Sequence, residues 1–279
     1  GNFPIAGSRC NSRCCCWCGA GDEGAELAEE LRTTTTSKSS RVVAGDEASP
    51  GYFPWMAALL KDATDDPTTS KFENLECGGT LVDENWVLTA AHCVYGTCTN
   101  TMSVLVGATD LETWFGETFF VDGIARTPEL RRVDTVVTHP DYDPVSFKND
   151  VALLRLASPV STTATVALNA GDQSAFLEQQ RQRQDAVTVG WGDTTDSETE
   201  VGYLPTLRYG TVPLVDDDTC EAALRAFDRR TDVADDPYYY YYDDATSPFD
   251  FDAMDFGVMV CAGTEQTSPG QVTSDACFG

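Results

Sequence analysis

The stretch VLTAAHCV, from Val87 to Val94, places one of the chain's two histidines at the end of an apolar run and directly before a cysteine. A histidine beside a strand is more often structural than catalytic, so His92 needs companions before it indicates chemistry. One companion is Cys93, because Cys77 lies upstream in ECGGTLV and is able to staple the loop. What the histidine does depends on what else the chain supplies.

A second companion is an aspartate at the mouth of an apolar strand. The stretch KNDVALLRL places Asp150 there, and a half-buried carboxylate needs hydrogen-bond donors. Nucleophilic catalysis explains the combination, because a serine hydroxyl is a poor nucleophile until an imidazole accepts its proton, and the imidazole needs a carboxylate behind it. The other histidine, His139, precedes a proline in the turn-rich VTHPDYDP, and we interpret it as structural.

The chain from Val42 onward consists of short runs rich in Val, Leu, Thr and aromatic residues, separated by Gly, Pro, Asp and Asn turns. Examples are GGTLV, NWVLTAA, MSVLVG, RVDTVVTH, DVALLRL, DAVTVGWG and RYGTVPL. Short strands with this punctuation predict an all-β barrel or sandwich. One convincing helical pattern follows in DDDTCEAALRAF, where Asp217 or Asp218 is the expected cap.

Six motifs, in chain order, resemble those of the trypsin-like (chymotrypsin-fold, S1-type) serine proteases. They are RVVAG at the activation junction, LTAAHC around the histidine, NDVALLRL around the aspartate, VTVGWG, VCAG, and SDACFG before the nucleophile. The order of histidine before aspartate also matches this family. The resemblance covers about residues 41–279.

The resemblance implies the organisation of the chain. The expected fold is all-β, with two six-stranded antiparallel β-barrels, the second incomplete because the chain stops before the nucleophile motif. We expect residues 1–41 to be a Cys-rich pro-segment with a Thr/Ser tether. Residues 42–279 are the expected trypsin-like domain, truncated, with its first barrel at about 42–160 and its second at about 161–279.

The resemblance also assigns roles, residue by residue, to the site. His92 is the general base and acid, and Asp150 orients it. Asp275 forms the floor of the primary specificity pocket and pairs with Arg or Lys of the substrate, unless it is a surface turn residue in TSDAC. Gly279 donates a backbone N–H to the oxyanion hole. The family continues with Asp-Ser-Gly-Gly-Pro, so we expect the nucleophilic serine beyond the C-terminus and expect this fragment to be inactive as it stands.

Activation and disulfides are implied in the same way. Cleavage between Arg41 and Val42 creates an α-amino group that, in the family, pairs with an aspartate just before the catalytic serine. We expect Cys277 to pair beyond the C-terminus, and Cys98 is a candidate tether to the pro-segment. The two implied disulfides of the catalytic body are Cys77–Cys93 and Cys220–Cys261.

The sequence departs from the family at a position where many relatives bind calcium. Ala108 replaces the usual calcium-binding glutamate, despite the nearby carboxylates Asp110, Glu112 and Glu117. In the N-terminal CNSRCCCWC, three adjacent cysteines are a poor geometry for tetrahedral zinc. We therefore expect no metal and no cofactor.

The formal charge of −27 lies entirely after residue 41, because residues 1–41 carry equal numbers of basic and acidic side chains. It argues against nucleic acid as a partner and favours cationic partners or substrates. For the surface charge alone, solubility in a salty medium is the first interpretation. No apolar run reaches the roughly 18 residues that would predict a membrane span. Eleven cysteines indicate disulfides and a secreted, extracellular protein.

An acidic, tyrosine-rich insertion lies between Phe227 and Phe256 and includes the run Tyr238 to Tyr242. It has no period of a strand or a helix, and a mobile loop is the simplest interpretation. A recognition surface is the alternative, since tyrosines make good contact residues.

Together these features predict a secreted serine endopeptidase that cleaves after Arg or Lys and is made as a zymogen activated at Arg41–Val42. The expected partners are protein substrates with Arg or Lys at the cleavage site, an activating protease and protein inhibitors. The alternative is a non-catalytic homologue that acts as a binding or regulatory protein. A structural cysteine-rich protein would account for residues 10–18 and for nothing after Val42.

Overall fold

The computed structural model describes residues 41–42, 45–61, 70–144, 146–161, 164–168, 178, 182, 184–193, 203–228, 260–262 and 276–277. Fourteen strands are described. In chain order they are β1 (Arg41–Val42), β2 (Asp46–Glu47), β3 (Met56–Lys61), β4 (Leu75–Asp83), β5 (Trp86–Thr89), β6 (Met102–Val106), β7 (Phe119–Val121), β8 (Ile124–Arg126), β9 (Glu129–Thr138), β10 (Ala152–Leu156), β11 (Asp185–Asp193), β12 (Tyr203–Val215), β13 (Cys261–Ala262) and β14 (Ala276–Cys277).

Six of these strands close into an antiparallel barrel in the order β10-β5-β4-β3-β6-β9. Alternate side chains of its strands point inward and fill its interior. In β10, for example, Ala152, Leu154 and Leu156 are buried and Arg155 is exposed. Burying one such leucine contributes about 1.5–3 kcal/mol. The predicted all-β fold is confirmed, and the barrel explains why runs such as DVALLRL alternate.

A second sheet has the order β11-β12-β13, with β2 paired to β12. Among the described residues it has four strands and is open. Trp191 of β11 is buried against the barrel, and its indole N–H donates to the carbonyl oxygen of Thr109 at 3.1 Å. The Gly-Trp-Gly stretch therefore joins the second sheet to the barrel.

Strand β3 lies between two hydrophobic clusters, so both of its faces are buried. Ala57 and Leu59 point into the barrel core. Met56, Ala58 and Leu60 pack on the other side, in the cluster that includes Trp191 and Leu207 of the second sheet. The run MAALL is apolar throughout because it has no solvent face.

The predicted helix is present as α1 (Asp217–Asp228), but the expected cap was wrong by one residue. Asp216 is the cap: its carboxylate accepts the backbone N–H of Thr219 at 3.0 Å and the Thr219 hydroxyl at 2.8 Å. Three consecutive aspartates are chemically equal, and the position where β12 ends decides which one precedes the first helical turn. In the described part of the chain, no helix has the length and apolar character needed to cross a membrane.

Candidate active site

The barrel brings His92 and Asp150 together at one end. Strands β5 and β10 are antiparallel, with Thr89 opposite Ala152. The loop after β5 carries His92, and Asp150 lies two residues before the start of β10, so the two side chains leave the barrel at the same edge. The distance from His92 Nδ1 to Asp150 Oδ2 is 2.6 Å.

A second hydrogen bond fixes the carboxylate, because the backbone N–H of His92 donates to Asp150 Oδ1 at 2.8 Å. Burial raises the pKa of Asp150, but the hydrogen bonds and charge of His92 outweigh it and hold that pKa below its ordinary value. The carboxylate is therefore ionised at neutral pH and accepts the Nδ1–H of the imidazole. This tautomer leaves a lone pair on Nε2.

The imidazole is accessible from solvent, since its side chain is 26% exposed and that of Asp150 is 22% exposed. Its Nε2 lies 3.4 Å from Cys93 Sγ. The ring of Phe147 approaches edge-on, with 6.0 Å between ring centroids, and is itself half exposed. The site is thus an open edge of the barrel with an apolar ring at one side.

Two disulfides lie in the described residues. Cys77 of β4 is bonded to Cys93, which ties the histidine loop to the barrel wall. Cys220 of α1 is bonded to Cys261 of β13, which ties the helix to the second sheet. Both pairs are those that the motifs imply.

The predicted activation junction lies in strand β1, which is antiparallel to β14. Arg41 is opposite Cys277 and Val42 is opposite Ala276. Asp275 and Gly279 lie outside the described residues, as do the Cys-rich segment and most of the Tyr/Asp insertion. The structure therefore brings the junction beside the chain that follows Asp275 in sequence.

Comparison with known proteins identifies the family. A family model described as Trypsin matches residues 42–238.

The chain belongs to the trypsin-like serine protease family.

Curated relatives include "Vitamin K-dependent protein C" of Mus musculus, 32% identical over 157 residues that cover 56% of this chain and 30% of the relative. "Serine protease 56" of Homo sapiens is 32% identical over 193 residues, covering 68% of this chain and 27% of the relative. "Limulus clotting factor C" of Carcinoscorpius rotundicauda is 26% identical over 186 residues, covering 66% of this chain and 17% of the relative. The chain spans less than a third of the length of each of these three relatives.

In this trypsin-family chain, three residues near the site were not predicted from the sequence. Asn149 has a φ of 58° and Phe147 a φ of 55°, so the turn before Asp150 is left-handed at both. The Asn149 amide donates to the carbonyl oxygen of Asp141 at 2.9 Å, which holds that turn. Tyr142 packs against the cluster of the barrel, and burial, together with the Asp150 charge, raises its pKa. Asparagine tolerates left-handed backbone, and that was the one available signal.

Two of the three carboxylates near Ala108 accept backbone N–H groups. Both oxygens of Glu117 accept the N–H of Thr109, at 3.0 and 3.1 Å. Asp110 Oδ1 accepts the N–H groups of Glu112 and Thr113. These side chains therefore order the loop in which they lie.

His139 takes part in a turn. Its N–H donates to the carbonyl oxygen of Val151, and its Nδ1 accepts the N–H of Asp141. His139 thus connects the end of β9 to the segment before β10, which agrees with its interpretation as a structural residue.

Proposed function

We propose that the protein is a serine endopeptidase that cleaves after Arg or Lys. The observation that carries the proposal is the 2.6 Å contact between His92 Nδ1 and Asp150 Oδ2, supported by the backbone hydrogen bond. A binding module of this fold has no need of an ionised carboxylate that fixes one tautomer of an accessible imidazole.

In the proposed mechanism, His92 Nε2 accepts the proton of a serine hydroxyl as the hydroxyl attacks the scissile carbonyl. Asp150 stabilises the imidazolium that forms, and the imidazolium then donates the proton to the leaving amine. The backbone N–H of Gly279 would bind the oxyanion. By the resemblance, the serine that supplies this hydroxyl follows Gly279 in the family motif.

The proposed preference for Arg and Lys depends on Asp275. A carboxylate at the floor of a narrow pocket pairs with a guanidinium or an ammonium of the substrate. The high negative charge supports the same preference, because it attracts cationic protein segments.

We further propose a zymogen that an activating protease cleaves between Arg41 and Val42. A basic residue follows a polar tether there, which favours cleavage by a trypsin-like enzyme. The pairing of β1 with β14 supports a link between this junction and the specificity pocket, because β14 directly follows Asp275.

A secreted location and recognition by protein inhibitors complete the proposal. The two described disulfides support an oxidising compartment, since such bonds persist there.

The test begins with the codons that follow Gly279. Asp-Ser-Gly-Gly is the expected continuation, whereas Gly or Thr in the serine position would favour the binding or regulatory homologue. The extended chain, cleaved at Arg41–Val42, is then assayed on peptide amides that differ only in having Arg, Lys or Phe before the scissile bond.

Cleavage of the Arg and Lys substrates, lost in His92→Ala, supports the proposal. Preference for Phe would contradict the role of Asp275. An extended chain that contains the serine but cleaves none of the three would contradict the endopeptidase assignment.

A further inference from the structure

Three groups that bind soft metal ions converge at the edge of the barrel. They are the sulfurs of Cys77 and Cys93 and a ring nitrogen of His92, and their ligand atoms all lie within 4.8 Å of one another. In the structure the two sulfurs are joined in a disulfide. A disulfide is a poor ligand, so this convergence has a chemical consequence only when the bond is reduced.

The imidazole already has the tautomer that a metal requires. Asp150 accepts the Nδ1–H, so the lone pair is on Nε2, and Nε2 lies 3.4 Å from Cys93 Sγ. Carboxylates commonly orient metal-binding histidines in this manner, through the nitrogen that does not touch the metal.

We propose that reduction of the Cys77–Cys93 disulfide creates a zinc site formed by two thiolates and His92 Nε2, with a fourth position for water. Zn–S and Zn–N bonds of about 2.3 and 2.0 Å place tetrahedral ligands roughly 3.5–3.8 Å apart. The observed nitrogen-to-sulfur distance of 3.4 Å is close to this requirement. The two sulfurs are 2.05 Å apart in the disulfide and must separate, which side-chain rotation accomplishes once their bond is broken.

The chemistry balances with a dithiol as the reductant. The dithiol gives two electrons and two protons to the disulfide and leaves as its own disulfide, and the protein gains two thiols. Zn²⁺ then displaces the two thiol protons, because the thiolate is the ligand. Cys77, Cys93 and His92 are all partly exposed, so the reductant and the ion reach them from solvent.

The proposal goes beyond proteolysis and gives the site a second state. The zinc ion would occupy the Nε2 lone pair that the proposed mechanism uses to accept the serine proton. Metal binding and general-base catalysis would therefore exclude each other, and reoxidation in the presence of a chelator would restore the imidazole.

The experiment uses the full chain and Co²⁺, which reports thiolate ligation by visible absorption. Because the other cysteines also bind Co²⁺ after reduction, the readout is the difference between the chain and its variants. With a phosphine reductant, the Cys77→Ser/Cys93→Ser and His92→Asn variants are each expected to take up one Co²⁺ fewer. Cys98→Ser, which removes a cysteine outside the proposed site, is the matched control. Like the unsubstituted chain, it is expected to take up one Co²⁺ more than either of these variants.

A second variant tests the orienting carboxylate. Asp150→Asn is expected to weaken binding of this one Co²⁺ by roughly 10- to 100-fold, the usual effect of losing such a partner. Without reductant, no difference between the chain and His92→Asn is expected, since the disulfide is intact. Far-UV circular dichroism checks that each variant keeps its β structure.

Equal Co²⁺ uptake by the reduced chain and by His92→Asn would overturn the proposal, as would uptake at this site in the unreduced protein. The readout is absorption and requires no substrate and no serine. The zinc site and the endopeptidase can therefore fail separately.

Discussion

The two ring nitrogens of His92 have different neighbours, and this asymmetry determines what the side chain can do. Nδ1 donates to an ionised carboxylate at 2.6 Å, whereas Nε2 lies 3.4 Å from Cys93 Sγ in a side chain that is 26% exposed. A single lone pair is thus available, and it points away from the residue that orients the ring. Proton transfer and metal ligation compete for that lone pair.

The Asp150→Asn substitution tests the orienting role in the extended, activated enzyme. The new side chain would present an amide to Nδ1, and the ring would no longer be held in the tautomer with a free Nε2. We expect kcat to fall on the order of 10⁴-fold, the loss that the wrong tautomer causes in a triad of this kind. Steady-state kinetics on an arginyl amide measures it, and a loss confined to KM would contradict it.

The same aspartate makes stability depend on pH. Its pKa is lower in the folded protein than its ordinary value of 3.8, so the folded state holds the ionised form more strongly than the unfolded state does. The stabilisation is complete above the unfolded pKa and disappears as the pH falls through the folded pKa. We expect the melting temperature of the chain to exceed that of Asp150→Asn at neutral pH, and the gap to close in acid. A gap that widens on acidification would contradict the assignment.

At the scale of the element, the pairing of β5 with β10 positions the site. The adjacent strand β4 packs tightly against its neighbours. A Cβ on Gly79 of β4 would lie 2.9 Å from Val87 Cγ1 and 3.0 Å from Leu59 Cδ1. Both neighbours belong to the filled barrel core, so they cannot move away freely. The glycine therefore keeps β4 close to its neighbours β3 and β5.

We expect Gly79→Ala to lower the free energy of unfolding by about 1–3 kcal/mol, as overpacking of a core does. Gly78→Ala is the matched control, because a Cβ there meets no atom within 4 Å. Urea unfolding of both variants measures the difference. Equal stability of the two variants would show that the barrel core rearranges to accept a methyl group at Gly79.

The edge formed by β1 and β14 gives a prediction about activation. Arg41→Gln removes the cation that a trypsin-like protease needs before the scissile bond, and we expect activation of the extended chain by trypsin to be lost. An Arg41→Lys variant keeps the cation and is expected to be activated. The appearance of a new N-terminal valine, detected by N-terminal sequencing, measures cleavage, and normal activation of Arg41→Gln would refute the junction.

The strands could be predicted well from the sequence because barrel strands bury one face and the hydrophobic pattern records it. The cap of α1 could not, since Asp216, Asp217 and Asp218 have the same side chain and differ only in backbone position. At the site, the motifs predicted His92 and Asp150, and the structure brings their side chains into contact. Phe147 escaped because its role depends on a left-handed turn, and a phenylalanine gives no sign of one.

For the whole molecule, the formal charge of −27 opposes compaction by self-repulsion. Salt screens this repulsion, with a Debye length of about 10 Å at 0.1 M ionic strength. We expect the melting temperature to rise as NaCl is raised from a few millimolar to about 0.15 M. Differential scanning calorimetry measures it, and sucrose at equal osmolality controls for solute exclusion. A falling melting temperature would show that favourable ion pairs outweigh the repulsion.

The position of β3 between the two clusters has a consequence for dissecting the protein. If the barrel were produced by itself, Met56, Ala58 and Leu60 would lose the cover that Trp191 and Leu207 give them and would face water. An isolated barrel would expose this apolar surface to water and self-associate. The two halves of this molecule are therefore expected to be inseparable as soluble pieces.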